Sequence, residues 1–466
     1  VMKYCENREL REELHRAYVG RCRGDAFDNV PLIPAILALR QELGQILGYA
    51  DFPDYRLEEA MAKSGQKAVS FEEDLTRRTR PYWERDLGQL RAHGRERGID
   101  ELKPWDVAFL AESLRKERFD IDDEILRPYF PLQAVLDGLF TLVNRVFGLT
   151  VREEENDQVW HPDVRYYRIT DESGRQLGSF YTDWFPRKEK RPGAWMHDFI
   201  SGSPGPDGTL PPNLGFIAGN FSPPEEGRPS LLTHREVETT FHEFGHLLHH
   251  LTSQVPIPGR GGLNVAWDWV ELPSQIMENW TWEKEALDLF ARHYETGDPL
   301  PAEILERMLA AKRFMGGWSQ MRQLSFGTLD LALHRELAPE LDAASDPASR
   351  VLAFTEKRLA EFSPDATFAR NHILTTFGHL FSGGYAAGYY SYLWSEVLDA
   401  DAFTRFAREG VLNPDTGRAY LKTILSRGDS AEPEELFREF MGRDPDPEAL
   451  LERNLGPEPD DRSPTG

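Results

Sequence analysis

The chain has 466 residues, of which 40% are hydrophobic and 11 are tryptophan, enough to bury a sizeable core. It carries 54 Lys and Arg against 78 Asp and Glu, a net charge of −24 at pH 7. Nucleic acids and anionic membranes bind basic surfaces, so this charge argues against either as a partner. No apolar run approaches the about 20 residues that cross a bilayer, and no stretch resembles a signal peptide. With two cysteines, Cys5 and Cys22, the sequence predicts no disulfide framework and favours the cytoplasm.

Residues 1–150 have the apolar periodicity of helices. Gly, Pro or Asp-rich turns separate the helical segments, which are 6–20, 33–47, 71–93, 104–116 and 132–147. We find no catalytic constellation among them. We therefore interpret 1–150 as a helical lobe that belongs to the same functional unit as the rest of the chain.

The apolar period changes after Trp160. Segments 164–170 and 176–184 are rich in β-branched and aromatic residues, and the turn at 171–174 between them predicts a hairpin. A third apolar segment, 214–221, follows a Pro/Gly-rich loop. The sequence thus predicts a small antiparallel or mixed β-sheet within 151–225. Its edge either pairs with an extended substrate backbone or is covered by the fold.

The chain from 226 to 455 contains the strongest motif, His-Glu-Phe-Gly-His at 242–246. Four residues apart on a helix, His242 and His246 stand on one face, about 6 Å apart in rise, as two imidazoles sharing one zinc ion do. Glu243 lies about 100° round the helix. There its carboxylate can take a proton from a metal-bound water without being a ligand.

The helix that would carry this motif has a clear start and an apolar face. Thr233 and Glu236 predict a capping box. Gly245, beside the histidine face, predicts a close approach of another backbone or a ligand. An apolar stripe opposite the histidines predicts burial, and it comprises Val237, Thr240, Phe241, Phe244, Leu247, Leu248 and Leu251.

A catalytic zinc site needs a third protein ligand and an open position for water. His249 is the nearest candidate, but three ligands spanning about 10.5 Å of rise on one helix would converge poorly. A second helix within 267–280 has an acidic face that includes Asp268, Glu271 and Glu278. We favour Glu271 as the ligand, with Asp268 or Glu278 orienting a ligand histidine. The alternatives are that Glu271 is a capping partner of Asp268 and that Glu278 lies on a solvated face.

Further helices at 300–337 and 349–361 precede residues 377–392, which we call the tyrosine segment. Four glycines there are interleaved with His379, Tyr385 and Tyr392. Tyrosine hydroxyls and a histidine are donors suited to the oxyanion that forms when water attacks a peptide carbonyl. The alternative is a packed aromatic helix, which we adopt for Tyr390. The Pro/Asp/Ser-rich tail at 456–466 is predicted to be disordered.

The motif at 242–246, together with Val-Glu-Leu-Pro-Ser-Gln at 270–275 and Met-Glu-Asn-Trp at 277–280, resembles the thimet oligopeptidase / oligopeptidase A family of zinc metallopeptidases. The bacterial oligopeptidase A type is the most similar. The likeness runs almost end to end, through segments 105–106, 126–131, 160–165, 385–394 and 424–428. It implies that His242, His246 and Glu271 bind one Zn²⁺ per chain and that Glu243 is the general base.

The resemblance also implies a mainly α, zincin-like fold, with a small sheet beside the active-site helix. Residues 1–150 would form one wall of a deep channel that excludes folded chains, and relatives carry a further helical segment upstream. His379, Tyr385 and Tyr392 would lie across the cleft from zinc, bind substrate and stabilise the tetrahedral intermediate. We expect a monomer that acts on short peptides.

We therefore predict a zinc-dependent endopeptidase that hydrolyses internal bonds of short, unstructured peptides. Two alternatives remain open. A peptidyl-dipeptidase of the same family shares the metal motifs but recognises a free C-terminal carboxylate, and a non-catalytic chain would bind peptide without cleaving it. Cobalt or manganese can also occupy such a site.

Overall fold

The computed structural model describes residues 1–24, 26–370 and 372–457, and these form two compact units. Unit 1 contains residues 1–120, 310–394 and 451–457, and unit 2 contains residues 121–309 and 395–450. Each unit is assembled from separated stretches of chain. The division by sequence into 1–150, 151–225 and 226–455 follows chain order and stays a prediction. Of the predicted tail at 456–466, residues 458–466 lie outside the described part.

Helices dominate the described residues, in which five strands form one sheet. The helices before the sheet are α1 (Arg8–Val19), α2 (Leu32–Ile46), α3 (Phe52–Arg56), α4 (Gly65–Glu96), α5 (Pro104–Phe119), α6 (Asp123–Leu126) and α7 (Leu132–Phe147). The strands are β1 (Thr150–Glu154), β2 (Arg165–Thr170), β3 (Gln176–Asp183), β4 (Trp195–Ile200) and β5 (Asn213–Ala218). The helices after it are α8 (His234–Leu251), α9 (Leu272–Asn279), α10 (Lys284–Phe290), α11 (Ala302–Ala311), α12 (Gly316–Ala332), α13 (Pro347–Leu359), α14 (Ala366–Arg370), α15 (Gly378–Phe381), α16 (Ser391–Glu409), α17 (Pro414–Tyr420), α18 (Pro433–Met441) and α19 (Glu448–Asn454). The mainly helical prediction is confirmed.

Unit 1 consists of helices and loops in its described residues. Its longest helix, α4, packs along α12. The sequence predicted 71–93 for this helix, but it begins earlier because the Ser64 hydroxyl accepts the N–H of Lys67 at 3.2 Å and so caps the first turn. Trp83, Leu87 and Leu90 of α4 form a buried cluster with residues of α12. This cluster is one of several apolar cores in the unit.

The sheet lies in unit 2, with strand order β1-β2-β3-β5-β4. The pairs β1–β2, β2–β3 and β4–β5 are antiparallel and β3–β5 is parallel, so the sheet is mixed. The three predicted strands are β2, β3 and β5. The two edge strands, β1 and β4, were missed because neither contains a fully buried residue, and both therefore lack a marked apolar alternation.

Helix α8 packs against the sheet in unit 2. Phe244 of α8 lies 5.8 Å, between ring centroids, from Phe180 of β3 and also 5.8 Å from Phe140 of α7. These aromatic contacts fix one face of α8 inside the core and leave the other face for chemistry. Among the described residues, none of the helices is long and apolar enough to cross a bilayer.

Candidate active site

Helix α8 begins and buries itself as its sequence predicts. Thr233 Oγ1 accepts the N–H of Glu236 at 3.2 Å, and the Thr233 N–H donates to Glu236 Oε2 at 2.7 Å. This reciprocal pair is the predicted capping box. Every residue of the apolar stripe is at most 2% exposed: Val237, Thr240, Phe241, Phe244, Leu247, Leu248 and Leu251. The histidine face is therefore held at a fixed angle to the core.

Gly245 brings a second element against α8. A Cβ at this position would lie 2.2 Å from the carbonyl oxygen of Pro273 and 2.6 Å from Cα of Ser274, so the absence of a side chain is required. Pro273 lies in the first turn of α9, where its missing N–H costs little. The close backbone approach predicted at Gly245 is confirmed, and it places the start of α9 beside the two motif histidines.

Three side-chain donor atoms converge where α8 and α9 meet. Glu271, at the N-cap of α9, places Oε2 3.3 Å from His242 Nε2 and 3.1 Å from His246 Nε2. Ligand atoms of these three residues all lie within 4.8 Å of one another, and the described chain contains one such group. Glu271 is 3% exposed, and the Ser274 hydroxyl donates to its Oε2 at 3.0 Å. Sequence reasoning missed this role of Ser274, although its position three residues after Glu271 is a helix-start spacing.

A second carboxylate orients one histidine. His242 Nδ1 lies 2.7 Å from Glu278 Oε1, and because a carboxylate accepts, the ring hydrogen sits on Nδ1. Nε2, the other ring nitrogen, faces Glu271 and is the atom of His242 that could bind a metal ion. Of the two candidates for this role, Asp268 and Glu278, the structure places Glu278 in contact with the histidine, so Glu278 does not simply lie on a solvated face.

The electrostatics of the group reflect this pairing. Burial lowers the pKa of His242, but its hydrogen bonds with Glu271 and Glu278 outweigh burial and raise that pKa well above 6.5. Burial raises the pKa of Glu271, but the two histidines outweigh it and hold that pKa well below 4.5. Burial raises the pKa of Glu278 to about 7, against the opposing effect of His242. Glu271 is thus held ionised between two imidazoles, as a metal ligand must be.

His249 does not join this group. It is 0% exposed, both ring nitrogens are buried without a hydrogen-bond partner, and burial lowers its pKa to about 3. The sequence argues against His249 as a third ligand because of its rise along the helix. The structure agrees with that rejection and adds that the side chain is enclosed.

The donor set fits a divalent transition metal. Two imidazole nitrogens and one carboxylate oxygen are the protein ligands of a catalytic zinc site that keeps a position open for water. The same set also binds cobalt or manganese. Glu243, adjacent to His242 on α8, is 8% exposed and is not a member of the converging group. It therefore remains available for proton transfer.

The other three predicted site residues lie together in unit 1. The rings of Tyr385 and Tyr392 stack at a centroid distance of 4.9 Å, and His379 lies 5.6 Å from Tyr385 and 6.0 Å from Tyr392. His379 is exposed, and both tyrosines are partly buried. Tyr390, assigned to packing, is 1% exposed in an apolar cluster. Three polar rings thus lie together in the tyrosine segment of unit 1. The candidate metal ligands, His242, His246 and Glu271, lie in unit 2.

Comparison with known proteins extends these observations. Oligopeptidase A of Salmonella typhimurium and oligopeptidase A of Escherichia coli are each 46% identical over 461 residues, covering 97% of this chain and 67% of their own. Dipeptidyl carboxypeptidase of Escherichia coli is 34% identical over 445 residues, covering 94% and 64%. The chain thus spans about two thirds of the length of these curated relatives.

Solved structures show the same fold at low identity. PZ peptidase A with inhibitor 2 has a TM-score of 0.55 and 16% identity, covering 93% of this chain and 66% of that one. The carboxypeptidase of Pyrococcus furiosus has a TM-score of 0.56 and 14% identity, covering 95% and 77%. These likenesses support the zincin-like architecture. The model of peptidase family M3 matches residues 1–455, and with the oligopeptidase relatives this shows that the chain belongs to peptidase family M3 and is a metallopeptidase of the oligopeptidase type.

Proposed function

We propose that this chain is a zinc-dependent endopeptidase that hydrolyses internal bonds of short, unstructured peptides. The observation that carries the proposal is the convergence of His242, His246 and Glu271 beside a glutamate that stays outside their group. The 46% identity to oligopeptidase A of two bacteria supports the substrate class. A monomer in the cytoplasm is part of the same proposal.

His242, His246 and Glu271 would hold the ion, with Glu278 fixing the ring of His242 and Ser274 fixing the carboxylate of Glu271. A bound zinc ion supplies Lewis-acid chemistry: it polarises the scissile carbonyl and lowers the pKa of water. Glu243 takes the proton of the attacking water and passes it to the leaving amine.

Tyr385 and Tyr392 donate to the oxyanion of the tetrahedral intermediate, and His379 binds the substrate near it. The stacked, partly buried tyrosine rings support this role, because stacking restricts the directions in which their hydroxyls point. The family resemblance of the tyrosine segment supports it independently.

The substrate backbone would pair with β4, an edge of the sheet in unit 2. Helix α8, which carries His242 and His246, packs against β4 and β5. The β4 edge therefore lies next to this helix. Pairing through main-chain hydrogen bonds aligns an extended peptide without demanding a particular sequence. This explains how one site would accept many short peptides.

Cleavage of an internally quenched peptide tests the mechanism. Wild-type protein loaded with zinc, the same protein after chelation, and Glu243→Gln are compared, with Glu285→Gln, an exposed glutamate of α10, as the matched control. We expect Glu243→Gln to keep its zinc and to lose about 10²- to 10⁴-fold in kcat. Chelation should abolish turnover, and Glu285→Gln should behave as wild type. Full turnover by Glu243→Gln would refute its role as the base.

The second candidate function is removal of C-terminal dipeptides, favoured by the 34% identity to dipeptidyl carboxypeptidase. Peptides with free and amidated C-termini separate the two. An endopeptidase cleaves both at internal bonds, whereas a peptidyl-dipeptidase loses activity on the amidated peptide.

A further inference from the structure

A buried aspartate of α12 binds the backbone of the tyrosine segment. Asp330 is 0% exposed, and its Oδ1 accepts the N–H of Ala387 at 2.9 Å. Its Oδ2 accepts the N–H of Tyr389 at 3.0 Å. Both donors lie between Tyr385 and Tyr392. One carboxylate therefore binds the stretch of backbone that sets the spacing and direction of those two side chains. A buried carboxylate is costly unless it is hydrogen-bonded, and here the loop itself supplies the donors.

The backbone that Asp330 binds has an unfavourable conformation at Ala387. Ala387 has φ of +54°, in the left-handed region that a residue with a Cβ adopts only at a cost. Such a conformation persists only when the surroundings over-determine it, and the hydrogen bond to Asp330 is made by the N–H of this same residue. Ala387 is also fully buried. Asp330 therefore holds the segment in a shape that it would not keep alone.

A second pair of residues ties the start of the segment to the same aspartate. His334 Nδ1 lies 2.8 Å from the backbone oxygen of Asp330 and 3.1 Å from its Oδ1. Arg40 Nη1 lies 3.1 Å from His334 Nε2, and Arg40 Nη2 donates to the carbonyl of Leu380 at 2.7 Å. Because a guanidinium only donates, His334 Nε2 accepts, and its ring hydrogen faces Asp330.

These bonds connect both parts of the proposed substrate-binding cluster. Leu380 follows His379 directly, while the bonds to Asp330 fall between Tyr385 and Tyr392. His334 itself lies in a π-helical turn at Leu333–Leu337, a distortion that recurs at functional sites. The chain of bonds through Arg40, His334 and Asp330 thus links α2 and the end of α12 to the tyrosine segment at residues 380, 387 and 389.

We propose that Asp330 is a positioning residue for catalysis, holding Tyr385 and Tyr392 in the arrangement that meets the oxyanion, with His334 and Arg40 supporting it. The inference rests on the proposed function of those tyrosines. It assigns to Asp330 no contact with substrate. A displacement of about 1 Å at a catalytic group can cost 10²-fold in rate. Weakening the hydrogen bonds to Asp330 should therefore lower kcat.

The test is a double-mutant cycle in the zinc-loaded chain. Asp330→Asn replaces two acceptors by one acceptor and one donor, so the amide nitrogen must face a backbone N–H. We expect Asp330→Asn to lower kcat by about 10-fold or more with little change in KM, because the lost interaction acts in the transition state. In a Tyr392→Phe background, where only Tyr385 is left to be misplaced, the same change should cost clearly less, about 3-fold.

Two further variants keep the result interpretable. Asp86→Asn is the matched control, since Asp86 is another buried aspartate that accepts a backbone N–H, that of Trp318 at 3.0 Å. A loss that comes only from weakened folding should appear equally with and without Tyr392→Phe, as we expect for Asp86→Asn. If Asp330→Asn does not fold, Arg40→Lys weakens the same chain of bonds more mildly, and its smaller loss of kcat should also shrink in the Tyr392→Phe background.

The outcomes separate the inference from the function on which it rests. Wild-type cleavage with a non-additive cycle supports the positioning role. Wild-type cleavage with equal losses in both backgrounds overturns it and leaves the endopeptidase proposal intact. No cleavage by the zinc-loaded wild type overturns the proposed function and the inference together.

Discussion

Gly245→Ala should separate α8 and α9, the two helices that carry the candidate metal ligands His242, His246 and Glu271. The added Cβ would lie 2.2 Å from the carbonyl oxygen of Pro273, whereas ordinary contact begins at 3.4 Å, so α9 must shift by about 1.2 Å relative to α8. Glu271 lies two residues before Pro273 and would move with it. Metal–ligand distances tolerate only about 0.2 Å, so the carboxylate would leave the ion.

We therefore expect Gly245→Ala to weaken zinc binding by at least the 10- to 100-fold that loss of a supporting contact costs, and to destabilise the fold by about 1–3 kcal/mol. Competition with a chromophoric chelator measures the affinity, and denaturant unfolding of the metal-free protein measures the stability. Gly88→Ala is the control, because Gly88 is also inside a helix but has open space around it. Wild-type zinc affinity in Gly245→Ala would refute the argument that this contact places Glu271.

Two further changes test the surroundings of the group. Glu278→Leu removes the hydrogen-bond acceptor of His242 Nδ1 and should weaken zinc binding by about 10- to 100-fold in the same competition assay. His249→Leu should leave zinc affinity unchanged. Because the folded state keeps the pKa of His249 at about 3 instead of 6.5, only the unfolded state gains this proton between those pH values. Wild-type stability should consequently fall more steeply than that of His249→Leu, by up to about 1.4 kcal/mol per pH unit, as the pH drops through this window in denaturant titrations. Equal slopes would contradict the assigned pKa.

The sequence predicts well those elements whose signal is complete within one stretch of chain. Helix α7 has the predicted bounds because its apolar stripe runs from Leu132 to Phe147 without interruption. The capping box of Thr233 and Glu236 could likewise be predicted, because the two residues lie three positions apart in the sequence. Edge strands β1 and β4 could not be predicted, since strands without a fully buried residue need no apolar alternation.

Contacts between distant stretches account for what sequence reasoning left open. A helical wheel puts Asp268 and Glu278 on one face, and only the distance between α8 and α9 selects Glu278 as the partner of His242. Asp330 gave no signal at all, because one aspartate in a helix has no spacing pattern and its partners are backbone groups of residues 387 and 389. The same holds for His249, whose burial depends on what packs over it.

The interleaving of the two units has a consequence for biosynthesis. Trp83, Leu87 and Leu90 of α4 are covered in the native protein by residues such as Met315 and Met321. Those residues leave the ribosome about 230 residues later, a delay on the order of tens of seconds at ordinary rates of translation. During that time the emerging chain presents an apolar helix face that is only partly covered, by Leu102 and Leu110 of the same cluster. We therefore expect chaperones that bind apolar segments to bind this face of α4 during synthesis.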